Sequence, residues 1–160
     1  MTGQPMELPS KKNNAARILA LHKRGILATV RANAEIGEMI FDGTIYAGRS
    51  PTTGKRMFVA PKDAPLSKTF NEATEYAASL EVGGQTGFRL PDKAELKVIF
   101  ENRDKGALKN TFKKTNIGSS AWYCSSTPSG FNMIWIQQFI SGIQTTDTRD
   151  KRTSVRCLRP

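Results

Sequence analysis

Long apolar runs are missing from this sequence. No stretch approaches the roughly 18–20 uninterrupted apolar residues that a membrane-spanning helix needs. The opening residues, MTGQPMELPSKKNN, hold no apolar core of a secretory signal. The expectation is a chain made in the cytoplasm, with a virion or cell surface reached by another route or within a larger particle. Cysteine and histidine are scarce. Cys124, Cys157 and His22 are the whole set, which excludes four-ligand zinc spacing. A Cys/His nucleophilic pair would have to use His22, distant in sequence and set in a basic segment. Acidic residues are also short: 14 against 24 Lys and Arg, for a formal charge of +10.

That charge suits nucleic acid, anionic glycans, acidic proteins or an anionic membrane surface, and it equally suits a plain solvated surface. Aromatics are not interleaved with the basic residues as in single-strand-binding sheets, and no nucleic-acid motif is present. Nucleic acid therefore ranks below other partners. At 160 residues the chain is the size of one domain with a real core.

Residues Met1 to Asn14 read as loosely ordered. AARILALHKRG reads as a short basic helix, with Gly25 as its stop. Ile26, Leu27, Thr29 and Val30 then suggest a strand. DGTIYAG and RMFVAP, separated by the turn residues SPTTGK, follow hairpin grammar. Thr69 with Glu72, and Asp92 with Glu95, form two capping boxes that open helices over TFNEATEYAASL and PDKAELKVIF. The segment ENRDKGALKNTFKKTNIG reads as a loop with some helical turns. AWYCSST, MIWIQQFISG and TSVRCLRP read as strands of one antiparallel meander, with TPSG and IQTTDTRDKR as the polar connections. The predicted class is α+β, with helices on an antiparallel sheet.

Four motifs in this order, GFRLPDKAEL, AWYCSST, IWIQQFISG and SVRCLRP, resemble a bacterial domain family. It is typified by the C-terminal domain of the Lcl collagen-like adhesin. The resemblance runs from about Asp42 to Pro160 and includes the lead-in DGTIYAGRSPTTGK. It implies a C-type-lectin-like fold, in the branch that holds formylglycine-generating enzymes and retroelement variable proteins. Such a fold presents a ligand-binding face rather than a reaction. Two residues depart from the family pattern. Phe88 stands where Trp is usual and keeps an aromatic plug. Cys124 stands where the family's Tyr-Trp-Ser-Ser motif has Trp, and replaces a large ring with a thiol.

The domain reading is therefore a basic N-terminal extension with a short helix over 1–40 and a C-type-lectin-like domain over 41–160. The function reading is a non-catalytic binding or adhesion module without a cofactor. Its expected partner is a glycan or protein receptor, and a surface role on a phage or phage-like particle fits it. Residues 11–25 would dock on a particle or on a second copy. The alternatives are a structural decoration or assembly protein, and charge-driven nucleic-acid binding.

Ligand contacts are expected from Tyr123, Asn132, Gln137, Gln144, Thr146, Asp147, Arg149 and Lys151, the polar side chains of the last strands and loops. No metal is expected, because Asp147 and Asp150 are flanked by Arg149, Lys151 and Arg152. Trp122, Trp135 and Phe139 are expected in the core. Arg89, Lys93 and Glu95 are expected to pin the start of a helix. Cys124 and Cys157, placed in strands of one sheet, invite a disulfide. The other reading is a pair of buried thiols, which the lack of a visible export signal favours.

Overall fold

The computed structural model describes residues 11–115 and 121–160, and within the first helix the side chains of Ala20 and of His22 onward. The N-terminal tail up to Ser10 and the residues Ser119 and Ser120 lie outside the described residues. The chain separates into two compact units, Met1–Asn33 and Ala34–Pro160.

The first unit holds one helix, α1 (Lys11–Asn33). It does not stop at Gly25, and residues 26–30 are not a strand. Stopping at glycine requires a left-handed backbone, and Gly25 takes no positive φ. The Thr29 hydroxyl donates to the Gly25 carbonyl at 3.0 Å, a bond made within one helical turn. β-formers such as Ile26 and Val30 lower helix propensity only slightly, and no proline or turn intervenes before Asn33.

The second unit is α+β, with two antiparallel three-stranded sheets. β1 (Ile45–Arg49) and β2 (Arg56–Val59) form the expected hairpin. α2 (Phe70–Ser79) opens on the Thr69/Glu72 capping box, and α3 (Lys93–Asn102) on the Asp92/Glu95 box. In the second box, Asp92 Oδ1 accepts from the Glu95 N–H at 2.8 Å and Glu95 Oε2 accepts from the Asp92 N–H at 2.9 Å. Two otherwise orphaned donors are satisfied at once. A single 3-10 turn (Gly106–Leu108) interrupts the polar loop that follows.

β3 (Trp122–Pro128), β4 (Met133–Gln138) and β5 (Gln144–Thr148) make the second sheet. Two expectations fail here. The segment Gln144–Thr148 is the third strand of the meander, not a loop. TSVRCLRP adds no antiparallel strand to this meander: Ser154 makes one parallel bridge to Tyr123 of β3, and its strand, Leu158–Arg159 (β6), pairs with β2 in the first sheet.

The register of β3 and β4 divides the apolar residues into two cores. Tyr123 pairs with Gln137 and Cys124 with Ile136, so neighbouring residues face opposite ways. Tyr123 joins Ile45, Met57, Leu96, Ile99, Leu108 and Phe139 on the side of α3. Cys124, Ile134 and Ile136 join Ala73, Ala77, Phe88, Leu90, Val155 and Cys157 on the side of α2. Filling both sides matters, because each fully buried Leu or Phe contributes about 1.5–3 kcal/mol. The β4–β5 turn closes tightly over the first core. Gly142 has φ +82°, and a side chain there would sit 2.5 Å from the Phe100 ring.

Candidate binding face of the second sheet

The face of the β3–β4–β5 sheet toward α3 carries Tyr123 from β3. From β4 it carries Met133, Trp135 and Gln137, and from β5 Gln144, Thr146 and Thr148. Cross-strand register pairs Met133 with Thr148, Trp135 with Thr146, and Gln137 with Gln144. Helix α3 packs on β1, β3 and β4 and covers one end of this face. The end beyond its first residue is open.

At the covered end the polar groups are used internally. Tyr123 is fully buried. Its hydroxyl donates to Asp63 Oδ2 at 2.6 Å and accepts from the Lys113 N–H at 2.8 Å. Burial, then the neighbouring Asp63 carboxylate, pushes the phenol well above its usual range, so it stays protonated. Asp63 is held in turn by Arg156, whose Nε donates to Oδ1 at 2.7 Å, with both side chains buried. The Arg156 guanidinium also lies 4.0 Å from the Phe112 ring centre. Gln137 is 1% exposed, and its carboxamide is bonded to the Gly142 carbonyl and to Gln144. Tyr123 and Gln137 thus correct the expectation of surface contacts, because their burial keeps them from a ligand outside.

At the open end the groups point outward. Trp135 is half-buried rather than in the core, a second correction. The Lys93 Nζ lies 3.1 Å from the centre of its ring. Lys93 is the first residue of α3, where the helix dipole disfavours a cation by about 0.3–1 kcal/mol. The indole offsets that cost. The backbone of Lys93 is fixed on both sides: its N–H donates to Thr127 Oγ1 at 2.8 Å, and its carbonyl accepts from Gln144 Nε2 at 2.9 Å. Gln144 and Thr146, both half-buried, complete the rim.

The remaining expected residues lie elsewhere. Asp147 belongs to the opposite face by register, and its Oδ1 caps the Thr148 N–H at 2.8 Å. The Arg149 guanidinium lies 4.7 Å from the Phe70 ring at the start of α2. Asn132 and Lys151 are exposed in turns, Asn132 with a left-handed φ of 53°. The structure therefore brings Gln144 and Thr146 together on this face, turns Asp147 to the other, and sets Asn132 beside Arg149 past the end of the β4–β5 ladder, where the Arg149 N–H donates to the Asn132 carbonyl at 3.0 Å. Lys93, Met133 and Trp135 were missed as surface groups. The alternation Met133–Trp135–Gln137 placed them on one face, but where α3 begins is a tertiary fact. Next to Asn132, Phe131 is fully exposed at the β3–β4 turn.

Arg89 and Glu95 do pin the helix start. Arg89 Nη1 and Nη2 donate to the two Glu95 oxygens at 2.6 and 2.7 Å. Burial alone would raise the Glu95 carboxyl, but the bonds from Arg89, Ser50 and the Asp92 backbone outweigh it and hold it below its ordinary range.

Both cysteines are free and buried. They do not share a sheet: Cys124 is in β3, and Cys157 precedes β6 of the other sheet. They meet instead within the core on the side of α2. Burial pushes the Cys124 thiol up to about 11 and Cys157 up to about 12, so neither is a thiolate at neutral pH. Among the described residues no His, Cys, Asp and Glu cluster could hold a metal ion, and no helix is long and apolar enough to cross a membrane.

Residues 44–159 match the family model described as the Lcl C-terminal domain. No curated protein matches the chain.

Proposed function

The chain belongs to the Lcl C-terminal domain family, an adhesin-associated module, and from that premise we propose that it binds a receptor without catalysis, through the open end of the β3–β4–β5 sheet. The observation that carries the reading is Lys93 held over the half-exposed ring of Trp135, with Thr146 and Gln144 beside it. An aromatic ring, a cation, a hydroxyl and a carboxamide bind by stacking and hydrogen bonding, and together they suit a saccharide. The apolar C–H face of a sugar would stack on the indole while its hydroxyls meet the polar rim. A protein receptor would use the same ring as an anchor.

An array of glycans and host surface extracts tests this, with wild-type protein, Trp135→Ala and Lys93→Met compared. The expected loss for Trp135→Ala is about 30-fold, corresponding to about 2 kcal/mol for a central aromatic anchor. Unchanged binding by Trp135→Ala defeats the proposal. The charge of +10 supports a second reading, contact with nucleic acid. Filter binding across a salt series separates the two, since charge-driven binding is steeply salt-dependent and indifferent to Trp135.

A further inference from the structure

Helix α2 has a side that its neighbours do not fill. Phe70, Thr74, Ala77 and Ala78 follow one another at four, three and one residues, which places them along one side of the helix. Across from them run Phe88, Arg89 and Leu90. That far wall is held back from α2. The Arg89 N–H donates to the Leu158 carbonyl at 2.8 Å, and the Arg89 carbonyl accepts from the Leu158 N–H at 2.9 Å. The Arg89 side chain is clamped on Glu95. The alanines are too short to reach across. A cavity of about 320 Å³ is left between the walls, within the range of small-molecule pockets.

The lining says what body fits. Phe88 and Leu90 are buried on one wall, and Phe70 and Ala77 face them from the other. The polar groups of the walls are already committed. The Thr74 hydroxyl donates to the Phe70 carbonyl at 2.9 Å, and Arg89 spends its donors on Glu95 and the Leu90 carbonyl. Water held there finds few partners, so an apolar group displaces it with a gain. The volume holds about ten water-sized groups at about 30 Å³ each. That is a short chain or a single ring, not the helix of a partner protein.

The charge at the edge says what head fits. Phe70 lines the cavity and also carries the Arg149 guanidinium, 4.7 Å from its ring centre. The Arg149 Nε is buried without a hydrogen-bond partner. Among the described residues, Arg149 makes no ion pair: Glu72 is taken by Arg152, and Asp147 caps the Thr148 N–H. Its backbone is tied to Asn132 and to Phe70, at 3.0 and 2.9 Å, which keeps it at this edge. A fixed, half-buried cation without a counter-charge favours an anion. We propose that the cavity binds a small amphiphilic anion, a carboxylic acid with an apolar chain or ring of about eight carbons. Its body lies on Phe88 and Leu90, and its carboxylate reaches toward Arg149. This site is on the α2 side of the second sheet, opposite to Trp135, and stands independently of the receptor reading.

The test is an NMR titration of the full chain with octanoate and with 1-octanol, taken into the millimolar range. Both probes should move the amide signals of Ala77, Ala78 and Phe88, with octanoate bound about tenfold more tightly. Arg149→Met keeps an apolar stem over Phe70 and should remove that preference while leaving octanol unchanged. Ala78→Phe, at an exposed position, fills the cavity from one wall, and Phe88→Trp fills it from the other. Each should abolish binding of both probes, and a melting curve shows that the variant is folded. Should one of them fail to fold, the other decides. Wild-type amides that stay still with both probes overturn the proposal, as does binding that survives a folded filling variant. Equal affinity for the two probes, or a preference for octanoate that survives Arg149→Met, overturns the assignment of an anion.

Discussion

Tyr123 and Trp135 lie on the same face of one sheet, yet one is sealed and the other is open. The strands do not cause the difference. The roof does: α3 covers the Tyr123 end and begins at Lys93, above Trp135. At the covered end each polar atom named has an internal partner, and the cost of losing one is high because the partner stays buried. At the open end, water can replace what a substitution removes. The same alternating pattern of side chains therefore yields a framework at one end and an open, outward-facing surface at the other.

Breaking the covered end should have the largest effect. Arg156→Met leaves Asp63 and the Tyr123 hydroxyl without their buried cation. Removing one partner of a buried ion pair costs about 3–5 kcal/mol, which urea unfolding would read as a lower midpoint at unchanged slope. An unchanged midpoint would mean that the pair is spectator to stability.

Next comes the boundary between the two ends, which Glu95 sets. Its folded-state carboxyl lies below the ordinary 4.5, so its stabilising contribution is fully present above that value. The contribution disappears as pH falls through the lowered folded value. Melting temperature followed from pH 7 downward should drop in the acid range for wild type. The drop should be shallower for Glu95→Gln, which starts from a stability lower by about 1–3 kcal/mol. Parallel curves for the two proteins would remove Glu95 from the acid response.

The smallest change in stability belongs to the open end. Trp135→Ala, which removes a half-exposed ring, should cost about 1 kcal/mol, below the 3–5 kcal/mol of a core aromatic. Its effect should appear in binding instead. A cost equal to that of Tyr123→Ala would erase the distinction between the ends. Thiol titration sharpens the same contrast: Cys124 and Cys157 should be silent in the native protein and both react in denaturant.

The parts of this fold legible in the sequence are those made by neighbours in the chain. The Thr69/Glu72 and Asp92/Glu95 boxes are local chemistry and mark α2 and α3 directly. The β1–β2 hairpin is equally local. What was hidden depends on distant pairing. Gln144–Thr148 is polar throughout, and only its register against β4 makes it a strand. Val155 and Cys157 look like the next strand of the meander, yet the chain crosses to β2, a choice no local pattern records. The candidate site was half legible. Gln144 and Thr146 could be named from their position, whereas Lys93 and Trp135 read as structural until the start of α3 was known.

The clamp at the start of α3 has an evolutionary consequence. Arg89, Asp92 and Glu95 fix the helix start, Thr127 and Gln144 hold the Lys93 backbone, and none of them bonds its side chain. Residue 93, and residues 133, 135, 146 and 148 across from it, can therefore change identity while the scaffold beneath them stays folded. Lineages carrying this domain could therefore vary the chemistry of this surface at a few outward positions without passing through an unfolded intermediate sequence.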